Sequence, residues 1–216
     1  MVENWPILLL SGLLITYNMK EKVAVIFAGG KSSRMGQDKA LLPFSGYSTL
    51  SEYQYRRLSK IFDRVYISAK SDKFDFEVNI IKDCYSDSSP LVGIVSIFET
   101  LDIDEVFILS VDAPFVDNKV ISTLYDKALS KSDVIVAKSP NGLEPLCGIY
   151  RRDILEKAKR FLKENNHRLQ ALLKEVDTQG VDFEQKEIFA NLNYPVEYQK
   201  ALDNRVLAKL GTDDSL

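Results

Sequence analysis

Histidine is almost absent from this chain and cysteine is scarce: among 216 residues there is one His, His167, and two Cys, Cys84 and Cys147. Two thiols cannot build the disulfide framework of a small secreted domain, and a single imidazole argues against a His-rich metal centre. Neither sign of charge dominates, with 28 Lys+Arg against 31 Asp+Glu and a net charge of −3. Such a chain carries no global field for nucleic acid, so an anionic ligand has to be met by a local cluster of cations. The apolar stretch from Trp5 to Tyr17 falls short of the ~20 residues a membrane span needs and contains Ser11 and Gly12. It also lacks the flanks of a signal peptide, since Glu3 precedes it and Ile15-Thr16-Tyr17-Asn18 follows. Repeats and low-complexity segments are missing as well.

What is present, 45% apolar and 27% charged residues, is the composition of one globular domain long enough to bury a sizeable core. A reduced, cytoplasmic protein is expected. Residues 1–18 read as an apolar leader outside the fold, with Met19 as the functional start, and residues 19–216 as a single domain.

From Lys22 onward, short β-branched runs alternate with amphipathic segments. Lys22 to Ala28 reads as a buried strand ended by Gly29-Gly30, and further strands are predicted over Arg64 to Ala69, Val78 to Ile81, Glu105 to Val111, Asp133 to Lys138 and Pro145 to Tyr150. Thr49-Leu-Ser-Glu52 has the capping-box pattern, Ser89-Pro90 opens a helix with proline in its first turn, and Asp117 caps a third helix. Helices are also expected around Asp153 to Lys163, Arg168 to Val176 and from Pro195 to about Leu207, with a turn over Thr178 to Gln185. Strand-helix alternation of this kind predicts a three-layer α/β/α sandwich with a mainly parallel, Rossmann-like mixed sheet. Ligands in such sheets bind beyond the carboxyl ends of the strands, so the chemistry is expected in the residues that follow them.

After the first strand comes Ala28-Gly-Gly-Lys-Ser-Ser-Arg-Met-Gly-Gln-Asp-Lys-Ala40. Paired glycines let backbone N–H groups approach an anion, and Lys31, Arg34 and Lys39 supply cations that offset much of a triphosphate's charge. The segment is a candidate phosphate cradle. It is neither a P-loop, whose first glycine would fall at Val25, nor a GxGxxG turn. After the fourth strand comes Ser110-Val-Asp112-Ala-Pro-Phe115, and a carboxylate there suits a Mg²⁺ ion bridging phosphate oxygens. Its plainer alternative is a turn or helix cap.

These motifs, together with the Asn191-Leu-Asn193-Tyr-Pro195 tail and the Asp83…Pro90-Leu91-x-Gly93 segment, resemble the molybdenum cofactor guanylyltransferase family of nucleotidyltransferases over about Lys22 to Leu207. The resemblance implies transfer of GMP from Mg·GTP to the terminal phosphate of molybdopterin with release of pyrophosphate. It implies Ala28, Gly29, Gly30 and Lys39 on the nucleotide, with Arg34 beside them in the loop. Asp112 would lie on Mg²⁺, Asp83 near the guanosine, and Asn191 and Asn193 on the pterin substrate. Lys39, Arg34 and Asp112 would form the catalytic set. The candidate protein partners are those of molybdenum cofactor biosynthesis or the molybdoenzymes, with no role for nucleic acid or membrane.

Two segments depart from the family. Ser68-Ala69-Lys70 stands where an Asn-Ala-Asn run is usual, so nucleoside contacts are not carried over there. Tyr194 replaces a threonine before Pro195, which makes Asn193 a candidate substitute helix cap. A CTP-dependent transferase acting on molybdopterin or on a sugar or polyol phosphate, and a non-catalytic nucleotide-binding regulator, are the competing readings. Arg56-Arg57 reads as a solvated helix face, His167 as a surface residue near a helix start, and Cys84 and Cys147 as small buried or semi-buried residues. Glu144-Pro145 is placed before a strand at the substrate crevice, as a pterin-side contact or only a turn.

Overall fold

The computed structural model describes residues 21–29, 36–128 and 131–210; the expected leader, the Met19 start, Gly30 and Arg34 lie outside the described residues. Seven strands form one sheet: β1 Val23–Phe27, β2 Arg64–Ser68, β3 Asn79–Ile81, β4 Glu105–Ser110, β5 Val134–Ser139, β6 Gly142–Arg151 and β7 Thr178–Asp182. Their order is β3-β2-β1-β4-β6-β5-β7, and only β6 runs antiparallel to its neighbours.

The apolar runs in the sequence are explained by burial on both sheet faces. In β1, Ala24 and Ile26 belong to one core with α1 (Leu50–Leu58) and α3 (Asn118–Lys127), while Val23, Val25 and Phe27 belong to another with α2 (Pro90–Thr100), α4 (Leu155–Lys163) and α5 (Leu169–Leu173). The three-layer expectation is therefore met. The helices start where their capping side chains dictate: Thr49, Ser89 and Asp117 accept from the backbone N–H groups of Glu52, Val92 and Val120. The capping box is displaced by one residue, because the Glu52 carboxylate receives the Ser48 N–H and hydroxyl instead of reaching Thr49.

Thr178 to Gln185 contains a strand where a turn was predicted. β7 extends the sheet by pairing in parallel with β5, and Gly180 lies so close to Leu143 and Lys138 that a Cβ would sit 3.0 Å from the Leu143 side chain. Its polar, glycine-containing sequence reads as a turn because an edge strand takes its stability from its partner rather than from its own residues.

The chain reverses its winding between β1 and β4. β1 hands on to β2 on one side, whereas α2 carries the chain from β3 back over to β4 on the other. Both strands point their carboxyl ends into the crevice that this switch opens. Antiparallel β6 brings its beginning, not its end, to the same edge. There its pairing with β5 skips from Val136↔Gly148 to Ala137↔Glu144, so Pro145, Leu146 and Cys147 bulge out of the β5 ladder. The buried Tyr150 hydroxyl donates to the Pro145 carbonyl at 2.5 Å and holds the bulge. No helix among the described residues is long and apolar enough to cross a membrane.

Candidate active site

The loop leaving β1 and the loop leaving β4 meet at the crevice. Asp38 caps a single 3-10 turn, Lys39–Leu41, by accepting from the Ala40 N–H at 3.1 Å, and this turn aims the Lys39 side chain across the sheet edge. The Lys39 ammonium pairs with the Asp112 carboxylate and donates to the Asn193 side-chain oxygen at 2.9 Å. The other Asp112 oxygen receives the Ser110 hydroxyl at 2.5 Å, and the Asp112 carbonyl receives the Leu192 N–H at 2.9 Å. Side chains from the first loop, the fourth strand and the C-terminal tail thus converge on one ammonium, which is only 17% exposed. Asn193 is not a helix cap. Glu197 takes that role, accepting from the backbone N–H groups of Asn193 and Tyr194 at 2.8 and 2.9 Å at the start of α6 (Pro195–Leu210).

Three hollows adjoin this cluster and share residues, so they form one trough. The first, about 190 Å³, is lined by Gly29, Ser68, Asp83, Ser88, Gly93 and Ser110 among others. The second, about 220 Å³, holds Ser110, Asp112, Glu144 and Asn191. Glu144 and Asn191 also line the third and largest, about 810 Å³, with Phe115, Phe189 and Asn193. Asp112 lies between a compact end and a roomy end.

In the compact end, burial pushes the Asp83 carboxyl above its ordinary value, opposed by the Lys70 charge and a hydrogen bond from Ser88. A partly desolvated carboxylate of this kind suits a pair of N–H donors better than it suits water. At Gly29 the space that a Cβ would fill is open, which leaves the backbone accessible to a ligand. Gly93 fits for the opposite reason: a Cβ there would come within 2.5 Å of the Phe27 ring, so only glycine lets α2 approach β1.

Several positioning side chains have no local sequence signature. Lys73 donates to the Ala28 carbonyl at 3.2 Å and to Asp38 at 2.5 Å, tying together the residues that flank the glycine-rich segment. Gln54, fully buried on α1, donates to the Val111 carbonyl at 3.3 Å and accepts from Arg57 at 2.5 Å, while Arg57 also donates to the Val116 carbonyl. Both grip the loop that bears Asp112. Arg56 is solvated as expected, but Arg57 is not, because those backbone carbonyls need a donor.

His167 is near a helix start but half-buried, its ring 3.2 Å from the Ser89 hydroxyl. Cys147 is buried, and desolvation raises its thiol far out of the nucleophilic range. Cys84, in contrast to the expectation, is exposed, because the turn after Asp83 holds it outside the core. Glu144 lies inside β6 rather than before it.

The described residues contain no group of three or more His, Cys, Asp or Glu able to hold a metal. A protein cage is not what nucleotide-bound Mg²⁺ requires, since that ion keeps waters and phosphate oxygens and takes one or two carboxylates. Asp112 fits the requirement: its carboxylate already faces a cation, the Lys39 ammonium, and Ser110 fixes its orientation.

Residues 24–181 match the model of the MobA-like NTP transferase domain. The molybdenum cofactor guanylyltransferase of Campylobacter jejuni subsp. doylei is 39% identical over 184 residues, covering 84% of this chain and 96% of that protein. The protein of the same name from Helicobacter pylori is 37% identical over 186 residues, covering 82% and 90%. Among solved structures, the molybdopterin-guanine dinucleotide biosynthesis protein A of Archaeoglobus fulgidus superposes with a TM-score of 0.74 at 17% identity, covering 87% of this chain and 99% of that one, a likeness of fold.

Proposed function

The chain belongs to the MobA-like NTP transferase family, and from that premise we propose that it is a molybdenum cofactor guanylyltransferase, moving GMP from Mg·GTP to the terminal phosphate of molybdopterin and releasing pyrophosphate. The observation behind this reading is the position of Asp112, paired with Lys39, midway along the trough between a base-sized hollow and a much larger one.

A phosphate monoester has a second pKa of about 6, so at neutral pH the attacking oxygen is already largely ionised. No general base is required, which accords with a site that offers no unpaired histidine or activated thiol. The acceptor oxygen forms a bond to the α-phosphorus as the bond to pyrophosphate breaks, and the task left to the protein is alignment and charge neutralisation. Lys39 stabilises charge on the α-phosphate and on the departing pyrophosphate. The open backbone at Gly29 suits the phosphates, while the Ala28 N–H is given to the Ser68 carbonyl, so Ala28 contributes by its place in the chain. Gly30 and Arg34, outside the described residues, are assigned to the phosphates by family resemblance. Asp83 accepts the two adjacent N–H donors of guanine, a pair that cytosine's edge does not present. Asp112 would hold Mg²⁺, which when bound neutralises the triphosphate and polarises its oxygens. Asn191 and Asn193 face the molybdopterin side. Two free thiols and this chemistry support a cytoplasmic reading.

GTP with Mg²⁺ should raise the melting temperature by roughly 5–10 °C at a hundred times Kd, with much smaller shifts from CTP, ATP or UTP. Adding molybdopterin should then yield its guanine dinucleotide and pyrophosphate. Equal shifts from all four nucleotides would remove the guanylyl assignment, and binding without pyrophosphate release would leave a nucleotide-binding regulator.

Lys73→Met should raise KM for GTP about fivefold to tenfold with little change in kcat, since it frees the flanks of the phosphate loop without touching the reacting groups. Lys73→Arg, which restores a donor, should recover most of the loss. A KM unchanged in Lys73→Met would mean that the tether does not shape the loop.

A further inference from the structure

Resting on the reading that molybdopterin is the acceptor, we propose that Glu144 recognises the pyrimidine edge of its pterin and so selects the acceptor substrate. That edge presents a 2-amino group beside a ring N3–H, two donors pointing the same way, and a carboxylate offers two acceptors at matching spacing. A flat bicyclic ring also needs apolar walls, which Phe115, Ile188 and Phe189 supply in the large hollow.

Among the carboxylates lining that hollow, Glu144 is the one built for the role. Glu197 is engaged on the backbone N–H groups that start α6, and Glu187 is exposed to solvent. Glu144 is half-buried, and its Oε1 accepts from the Ser139 hydroxyl at 2.7 Å. Ser139 is itself buried and accepts from the Asn141 N–H at 3.1 Å, so the hairpin turn fixes the carboxylate's direction. Next to it the Pro145–Cys147 bulge breaks the β5–β6 ladder at the trough. Because Glu144 borders both the large hollow and the smaller one containing Asp112, a pterin held there leaves its phosphate end directed toward the reacting centre.

The test compares pterin with lumazine, the analogue carrying a carbonyl in place of the 2-amino group, as ligands of the full-length protein and of Glu144→Gln. Wild-type protein should bind pterin at least about tenfold more tightly than lumazine, because lumazine sets an acceptor against the carboxylate. In Glu144→Gln the preference should fall to about twofold or less. With molybdopterin, the variant's KM should rise about tenfold or more while KM for GTP stays within twofold. Equal binding of the two pteridines, or a preference that survives Glu144→Gln, overturns the inference even in a fully active enzyme. A Glu144-dependent preference in a protein that forms no dinucleotide would instead uphold the pterin site and refute the guanylyltransferase reading.

Discussion

Asp112→Ala is expected to lower metal-dependent turnover by about a thousandfold, equivalent to about 4 kcal/mol of transition-state stabilisation, while leaving the fold intact. The fold should survive because the loop is held through its backbone: the Val111 N–H donates to the Phe27 carbonyl at 3.0 Å, the Asp112 carbonyl receives Leu192, and Gln54 and Arg57 hold Val111 and Val116. What the substitution removes is the partner of a largely buried ammonium. Asn193 still accepts from Lys39, so the stability loss should be about 1–2 kcal/mol rather than the larger value for an uncompensated buried charge. Asp112→Asn keeps the shape without the charge and separates the two effects. It should melt within a few degrees of wild type yet be nearly as inactive as Asp112→Ala, and added Mg²⁺ should no longer strengthen GTP binding. Turnover within threefold of wild type in either variant would take Asp112 out of the reaction.

How much of this arrangement the sequence discloses depends on whether the cause is local. β1 announces itself because a strand buried on both faces must be apolar at every position, and Val23 to Phe27 is. Thr49, Ser89 and Asp117 are readable as caps because each satisfies an N–H group only three residues ahead. The rule that ligands sit beyond strand ends then points to the Lys39 and Asp112 loops from the sequence alone. β7 escapes notice since its partner β5, not its own composition, makes it a strand. Lys73, Gln54 and Arg57 escape for a related reason. Each bonds a backbone carbonyl 45, 57 or 59 positions away, and a carbonyl is the same group whatever residue carries it. The Asn193 side chain looks like a cap from its neighbours and is revealed as part of the lysine cluster only when the tail packs over the sheet edge.

Lys39→Ala should depress kcat by about a hundredfold to a thousandfold and weaken GTP binding about tenfold, so that both fall together. The reason lies in what this ammonium does before and during the reaction. In the free protein it neutralises Asp112 and holds Asn193, which lies 154 positions further along the chain. On the proposed function, an arriving triphosphate, with more negative charge than one carboxylate, should draw the same ammonium to its oxygens, and the Asn193 amide would then be released toward the acceptor side. Nucleotide binding and preparation of the acceptor site would thereby be coupled through one side chain, and Lys39→Ala should uncouple them. In wild-type protein GTP should tighten molybdopterin binding; in Lys39→Ala that mutual effect, which by linkage must be equal in both directions, should shrink toward none. Lys39→Arg is not expected to restore it, because a guanidinium spreads its charge over a rigid planar fork and meets Asp112 and Asn193 in a different geometry from a compact ammonium. Undiminished coupling in Lys39→Ala, measured by calorimetry with each ligand in turn, would show that Asn193 responds to the nucleotide by some other route.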